Sequence, residues 1–511
     1  MAEPQNLLAL DELRFVTGLR LQPCLGFRSE ILAGISSSYQ LSIVEAGWAV
    51  EDPADDIELI STSSNESSQA AMREFQAELR GAHTPAVRLV SNIICAAANK
   101  KASDIHIEQN SSDATIRLRV DGVLRELMRV PNELRLQLVS RIKILADMDI
   151  AERRVSQDGR FLANLRECQI DIRVSTLPTQ YGEKIVMRLL DASTATVAFE
   201  NLGFSSQNAD QLYNLLGAPQ GMILVTGPTG SGKSTTLYSA LNFLKSPRVN
   251  ITTIEDPIEY IIEGVNQVQV NPKAGRTFSS CLRSMLRQDP NVVMVGEIRD
   301  GETAEIALTA AQTGHLVLST LHTNDSISAI TRLIDLNVPS FLIASSVTAV
   351  IAQRLVRKLC ACHSEMPVSR EYAYKMRVAG FDDVGEKKYM PVGCPECDKT
   401  GYKGRVGIYE VLVLNEHIRA AIRDGAKDDD IRTFAKLAGF EPMRTDALAK
   451  LRSGITTLDE IMRVVPVQNE KKQVCEECNQ ILFPGFRFCP GCGTSLPDPT
   501  SNSTMALSTG V

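Results

Sequence analysis

No apolar run in this 511-residue chain approaches the ~18 residues that a membrane-crossing helix needs. The first residues lack a cationic start followed by an apolar stretch, the mark of a secretory leader. Neither a spanning segment nor an export signal is therefore expected. A dense block of Lys and Arg is also missing, and the formal net charge is −7. Phosphate backbones are gripped by clustered cations, so direct nucleic-acid binding is not expected. These absences point to a cytoplasmic protein of ordinary globular make-up, 44% apolar and 23% charged. One core cannot organise so long a chain, so three or more folded units are expected. Cysteine is plentiful by contrast. There are 12, and eight fall in close pairs in the C-terminal third, which in a cytosolic protein points to metal rather than disulfide.

The most informative stretch runs from Ile223 to Thr236. Met222 to Val225 reads as a buried strand, Gly227, Gly230 and Gly232 open a loop, and Thr235 to Leu244 continue as a helix. From Gly227 to Ser234 the spacing is G-x-x-x-x-G-K-S, the phosphate-binding P-loop. Gly227, Pro228, Thr229, Gly230, Ser231 and Gly232 would wrap backbone N–H groups around phosphate oxygens, where side chains would obstruct approach. The helix start at Thr235 adds free N–H groups and a positive dipole end. Lys233 would neutralise the β- and γ-phosphates, and the Ser234 hydroxyl would hold Mg²⁺. A chance glycine-rich loop would not also supply strand, lysine, hydroxyl and helix in this order.

Along the chain, residues 1–50 contain a short helical pattern, Leu10 to Arg20, and read as a small N-terminal region. Residues 51–83 turn acidic and serine-rich and read as a solvated linker. Residues 84–200 read as an α+β domain. Val87 to Ala97 have helical spacing, Ala114 to Val120 alternate as a strand, and Asp121-Gly122 signals a hairpin. Arginine recurs there at 117, 119, 153, 154, 160, 173 and 188, either as a solvated face or as cations meeting an anion. Residues 201–465 alternate apolar strands with helical segments, the pattern of a mostly parallel α/β sheet.

Within that domain, Val249 to Glu255 is a strand ending in carboxylates, with Glu255, Asp256 and Glu259 in the sequence Glu-Asp-Pro-Ile-Glu. Asn291 to Val295 is a second apolar strand that delivers Glu297. An acidic residue at the end of a strand beside the P-loop strand helps hold Mg²⁺. A third strand, Leu316 to Leu321, is bracketed by His315 and His322, each of which reads as a catalytic group or as a satisfied core histidine.

The order of P-loop, Ile254 to Glu259, Val295 to Asp300 and the two-histidine strand resembles the secretion ATPase superfamily, which drives type II secretion and type IV pilus assembly. The preceding domain resembles it too, through Ser103 to Glu108, Gln157 to Arg160 and Asp171 to Ser175. The likeness covers roughly residues 85 to 465. It implies a RecA-like P-loop ATPase domain behind an α+β domain, using ATP, Mg²⁺ and Zn²⁺. By position it assigns Lys233 and Ser234 to phosphate and Mg²⁺, and Glu297 to support of Mg²⁺. One of Glu255 and Glu259 would polarise the attacking water, with Glu255 favoured. Arg173 and Arg188 would meet the γ-phosphate from the preceding domain, and Arg287 and Arg405 would lie around the nucleotide. The resemblance further implies a homohexamer, peripheral at the inner membrane through a platform protein. Pilus assembly and type II secretion both remain open. A retraction motor, a nucleic-acid translocase and a nucleotide-binding regulatory scaffold are the rival functions. Only Leu13 to Arg20 resembles the longer N-terminal domain of many relatives, so residues 1–50 look like a remnant of it.

Extension-type and secretion members hold zinc on two C-x-x-C pairs. Cys394 and Cys397 match, inside an insertion at 358–400. Cys360 and Cys362 are one residue apart, and His363 takes the expected second place. A set of Cys360, His363, Cys394 and Cys397 is therefore expected, with Cys362 instead of His363, or loss of the site, as alternatives. After a linker at 466–473, Cys475, Cys478, Cys489 and Cys492 form two further pairs, a zinc ribbon at 474–494. So short a segment has too little core to fold without a staple. Residues 495–511 read as a disordered tail.

Overall fold

The computed structural model describes residues 57–61, 85–165, 168–191, 197–381 and 385–465, with short pieces between 473 and 495. The chain divides between Thr194 and Ala195 into two units. The expected N-terminal helix at Leu10 to Arg20 and the C-terminal tail lie outside the described residues.

The described residues of the first unit form a seven-stranded antiparallel sheet backed by two helices. Its elements are β1 (Ile57–Ser61), α1 (Pro85–Asn99), β2 (Asp104–Gln109), β3 (Asp113–Val120), β4 (Val123–Pro131), α2 (Asn132–Leu145), β5 (Gln157–Leu165), β6 (Cys168–Thr179) and β7 (Gly182–Asp191). The sheet order is β1-β5-β6-β7-β2-β3-β4. Asp121 and Gly122 make the expected two-residue turn between β3 and β4, both with positive φ, 50° and 82°. One correction concerns the acidic linker: Ile57 to Ser61 pair with Leu165 back to Phe161 as the edge strand. Three apolar residues in five give that segment a strand's content despite its acidic flanks.

Alternation divides the sheet's two faces. Ile105, Ile107, Ile116, Leu118, Phe161, Ile172, Val174, Ile185 and Met187 face inward and pack with Val90, Ile93, Ile94, Leu138 and Ile142 of the helices. The opposite face carries the charges. One register row crosses it as Arg160, Arg173, Arg188, Asp104, Arg119. Three arginines thus stand side by side, a placement that repels unless an anion answers it. The buried Asp104 carboxylate answers part of it, 3.0 Å from Arg188 and 3.4 Å from Arg119.

The second unit opens with α3 (Ser206–Leu216) and builds a sheet in the order β10-β9-β11-β12-β8-β13-β16. The strands are β8 (Gly221–Thr226), β9 (Ile251–Glu255), β10 (Asn266–Gln269), β11 (Val292–Val295), β12 (Leu316–Leu321), β13 (Val347–Leu359) and β16 (Tyr402–Val413), with the small hairpin β14 (Ser364–Pro367) and β15 (Lys387–Met390) outside it. All pairs are parallel except β13 with β16. β8, β9, β11 and β12 are buried along their whole lengths, as a parallel sheet covered on both faces requires. The covering helices are α4 (Lys233–Leu244), α5 (Phe278–Met285), α6 (Gly301–Gln312), α7 (Ser326–Asp335) and α8 (Ser340–Ser346).

After the small helix α9 (Arg370–Val378), the C-terminal helices α10 (Glu416–Arg423), α11 (Asp428–Leu437), α12 (Met443–Arg452) and α13 (Leu458–Val464) complete the unit. Glu460, 2% exposed, ties α13 to β13 by accepting from the Arg357 backbone N–H (3.1 Å) and guanidinium (2.6 Å). Arg463 donates to the same carboxylate at 2.9 Å. Burial pushes the Glu460 carboxyl up, but the two guanidinium groups win and hold it at about 2. Among the described residues, no helix is long and apolar enough to cross a membrane.

Candidate nucleotide site and cysteine clusters

Because the strands run parallel, their C-terminal ends share one edge, where an open α/β sheet binds its ligand. β8 delivers the P-loop there. Gly227, Gly230 and Gly232 have φ of 149°, 79° and 90°, values a side chain resists. A Cβ on Gly227 would stand 2.6 Å from both the Gln353 carbonyl and Ser231 Oγ. Pro228, Thr229 and Gly230 form the exposed crest, and Ser234 and Thr235 follow Lys233 in the first turn of α4. The Lys233 ammonium donates to the carbonyls of Gly227 (2.9 Å) and Pro228 (3.2 Å). Burial pulls its pKa down to about 8, against the pull of Glu297. Ser231 Oγ is buried with no hydrogen-bond partner. A desolvated cation and an orphaned hydroxyl in one glycine loop fit a phosphate.

Two residues from β13 that the sequence did not single out hold this loop. Gln353, 1% exposed, donates to the Ser231 carbonyl at 2.7 Å and accepts from Thr236 at 2.8 Å. Arg354 donates to the carbonyls of Gln353 (3.0 Å) and Asn324 (2.7 Å), and burial lowers its pKa. Both lie about 120 residues downstream of the loop, so no local motif reveals them.

The acidic residues separate into two environments. Glu297, just past β11, takes a close ion pair from Arg299, and His322 Nε2 lies 3.4 Å away. Arg299 also reaches Asp256 at 3.5 Å. Glu297, Asp256, Arg299 and His322 therefore form a polar cluster at the P-loop end of the sheet. Glu255 is different. It is 4% exposed and accepts from the Tyr238 hydroxyl, from Thr253 (2.6 Å) and from Gln267 (3.0 Å). Burial, then the facing Glu255 charge, push the Tyr238 phenol up. Favouring Glu255 as the base is thus at odds with its surroundings, since both its oxygens serve a buried network. Glu259, half-buried on the following loop, is the carboxylate nearer water.

The two histidines lie at opposite ends of β12. Leu316 pairs with Gly221 and Leu321 with Thr226, so His322 stands level with the P-loop. His315 stands at the far end, its Nδ1 3.0 Å from the Ala310 carbonyl. That placement sets His315 against the end of α6, away from the P-loop edge. Arg287 is also distant from that edge. It donates to the Arg283 carbonyl (2.8 Å) and to Ser284 (3.2 Å) at the end of α5. The adjoining Gln288 and Asp289 carbonyls bind Asn250, just before β9 starts. Within its own chain Arg287 therefore sits at the sheet end away from the P-loop. Arg405 is exposed on β16, paired with Arg357 at the P-loop end. Arg173 and Arg188 belong to the first unit, in the register row above.

The cysteines of the insertion converge. Cys360, Cys362, Cys394 and Cys397 have sulfurs within 4.8 Å of one another. Individual separations are 3.8 Å for 360–394, 3.9 Å for 362–397 and 3.7 Å for 394–397. A tetrahedron with Zn–S bonds of ~2.3 Å has S···S edges of ~3.8 Å, so the thiols fit zinc. Burial raises the Cys397 thiol, but backbone N–H groups of Cys394 (3.1 Å) and Gly401 (3.2 Å) outweigh it and bring it to about 6. His363 is turned away, its Nδ1 2.8 Å from the Cys360 carbonyl and its ring edge-on to Tyr389. The expected Cys₃His set is corrected to four thiols with Cys362 in place of His363. Cys478, Cys489 and Cys492 also cluster within 4.8 Å, whereas Cys475 lies outside the described residues.

Comparison with known proteins shows which family the chain resembles. The family model described as "Type II/IV secretion system protein" matches residues 80–463, and that of the MshEN domain matches residues 1–44. The chain is 45% identical to type II secretion system protein E of Dickeya dadantii, across 89% of this chain and 90% of that one. It is 43% identical to the type IV pilus assembly ATPase PilB of Pseudomonas aeruginosa, across 91% and 81%. Among solved structures, the pilus retraction motor PilT with bound ADP aligns at TM-score 0.51 and 29% identity, covering 73% of this chain and 96% of that one. The Legionella pneumophila ATPase DotB aligns at TM-score 0.54 and 22% identity, covering 73% and 94%, a likeness of fold. With three quarters of its length matched to one family model and a P-loop completed by a carboxylate–histidine cluster, the chain belongs to the type II/IV secretion system protein family.

Proposed function

We propose that the chain is an ATP-hydrolysing motor that powers assembly of a type IV pilus or a type II secretion pseudopilus. The observation that carries this is the P-loop end of the sheet. There a desolvated Lys233, an unpartnered Ser231 hydroxyl and the Glu297–His322 cluster share one edge. Lys233 and the loop N–H groups bind the β- and γ-phosphates. Ser234 and Glu297 would hold Mg²⁺, which when bound offsets phosphate charge. Glu259 polarises a water for in-line attack on the γ-phosphorus, and the bond to the β-phosphate oxygen breaks. His322 and Arg299 fix the Glu297 carboxylate. By the family resemblance, Arg173 and Arg188 are the cations that would meet the growing equatorial charge.

The working form is a homohexamer, cytoplasmic and peripheral at the inner membrane, docked on a platform protein. The four thiols of Cys360, Cys362, Cys394 and Cys397 would hold a structural Zn²⁺ that staples the insertion, and Cys475, Cys478, Cys489 and Cys492 a second one. These clusters favour the extension-type motor over a retraction motor. Lys233→Ala and Glu297→Gln, introduced into the host gene, test the reading. Loss of both ATP turnover and pilus or secretion output is expected. Retention of both contradicts it.

A further inference from the structure

We propose that Tyr238 and Glu255 form a positioning pair that clamps the Glu259 loop to the phosphate-binding helix. The inference rests on the reading of Glu259 as the water-polarising group and assigns the second carboxylate of the same motif a separate task. Helix α4 begins at Lys233 of the P-loop, and Tyr238 lies on it five residues later, 1% exposed. Its hydroxyl donates its single proton to Glu255 Oε2, so toward Glu259 it can only accept. The Glu259 backbone N–H lies in position to donate, at 3.3 Å. The charge on Glu255 thus sets the direction of the relay.

A second stitch runs in parallel. Gln267 donates to Glu255 Oε1 (3.0 Å) and to the Tyr260 carbonyl (3.1 Å), and accepts from the Ile262 N–H (2.7 Å). The Tyr238 and Tyr260 rings meet edge to face, centroids 4.4 Å apart. The loop is therefore fastened at 259, 260 and 262 to two side chains, Tyr238 and Gln267, and both of these donate to the buried Glu255 carboxylate. One of them rides on the helix whose first residues grip phosphate. The contact fixes the Glu259 backbone relative to the phosphate-binding end of α4. Glu255 and Tyr238 touch neither water nor nucleotide in this account; they act through Glu259.

The test uses the purified full-length chain with Tyr238→Phe, Glu259→Gln and the double variant. kcat and KM for ATP, affinity for a non-hydrolysable ATP analogue, and melting temperature are measured for each. Because misplacement by about 1 Å can cost on the order of 10²-fold, Tyr238→Phe is expected to lower kcat roughly tenfold or more. KM and analogue affinity should stay within about twofold. In the Glu259→Gln background, Tyr238→Phe should add no further loss. Gln267→Met, which cuts only the second stitch, should also lower kcat without KM and serves if Tyr238→Phe folds poorly. Wild-type kcat in both Tyr238→Phe and Gln267→Met, with Glu259→Gln inactive, overturns the clamp alone. So does a further loss of equal size in the double variant. If Glu259→Gln keeps its turnover while Glu255→Gln loses it, the reading of Glu259 itself falls, and the clamp with it.

Discussion

The choice between Cys362 and His363 as a metal ligand has a large and measurable consequence. The sulfur separations of 3.7, 3.8 and 3.9 Å already match the ~3.8 Å edge of a tetrahedral zinc–sulfur site. His363 is committed elsewhere, 2.8 Å from the Cys360 carbonyl. Structural zinc sites bind with ~10–16 kcal/mol, or about 3 kcal/mol for each of four ligands. Cys362→Ser should therefore weaken zinc binding at the insertion by on the order of 100-fold. His363→Ala should leave it within a few-fold. Zinc content by elemental analysis, followed by competition with a chromophoric chelator, reads both numbers. A variant ending before residue 466 removes the ribbon signal, so the insertion is measured alone. Unaltered zinc in Cys362→Ser together with loss in His363→Ala would refute the four-thiol geometry.

Other outcomes follow from the same contacts. The full chain should carry two zinc ions and the variant ending before residue 466 one; one ion in both would remove the ribbon site, and none in the shortened variant would remove the insertion site. Lys233 has a pKa of about 8 in the protein, lowered by burial, and phosphate raises it, so nucleotide binding takes up a proton above pH 8. ATP affinity should be flat below about pH 7.5 and fall by up to roughly tenfold per pH unit above 8. Calorimetry in buffers of different ionisation enthalpy detects the proton, and a flat profile to pH 9.5 would contradict it. Glu460 sits near pKa 2, below the ordinary 4.5, so its contribution is present above pH 4.5 and lost as pH falls through 2. Removing one partner of a buried pair costs about 3 kcal/mol, and Glu460→Gln should lose about that much in denaturant unfolding at pH 7.

Contiguous features were legible from sequence and dispersed ones were not. The P-loop is one segment whose strand, glycines, lysine and helix are neighbours in the chain, and the strands around it are uniformly apolar. The Asp121-Gly122 turn is equally local. What the chain order conceals is depth and direction. Glu255 and Glu259 are four residues apart, and Tyr238 and Gln267, brought in from α4 and β10, join the local Thr253 in making Glu255 a buried acceptor. His315 and His322 bracket one strand, but in a parallel sheet only its C-terminal end faces the nucleotide edge. Arg287 follows a helix that leads back to the start of β9, away from that edge. Cys362 breaks the usual two-residue spacing, and the turn from Cys360 to His363 nevertheless directs its sulfur into the cluster. Ile57 to Ser61 lie within acidic, serine-rich surroundings, so an average over the region hides a strand.

The central claim is that the carboxylate cluster at the P-loop edge makes this chain an ATPase rather than a nucleotide-binding scaffold. The direct measurement is steady-state phosphate release from ATP by the assembled protein and its Glu297→Gln variant, with nucleotide affinity measured alongside. The variant should still bind ATP while turnover falls by at least about 10²-fold, as loss of a preorganised charge at the reacting phosphate requires. Turnover in Glu297→Gln equal to wild type, or no turnover in either protein, would contradict it.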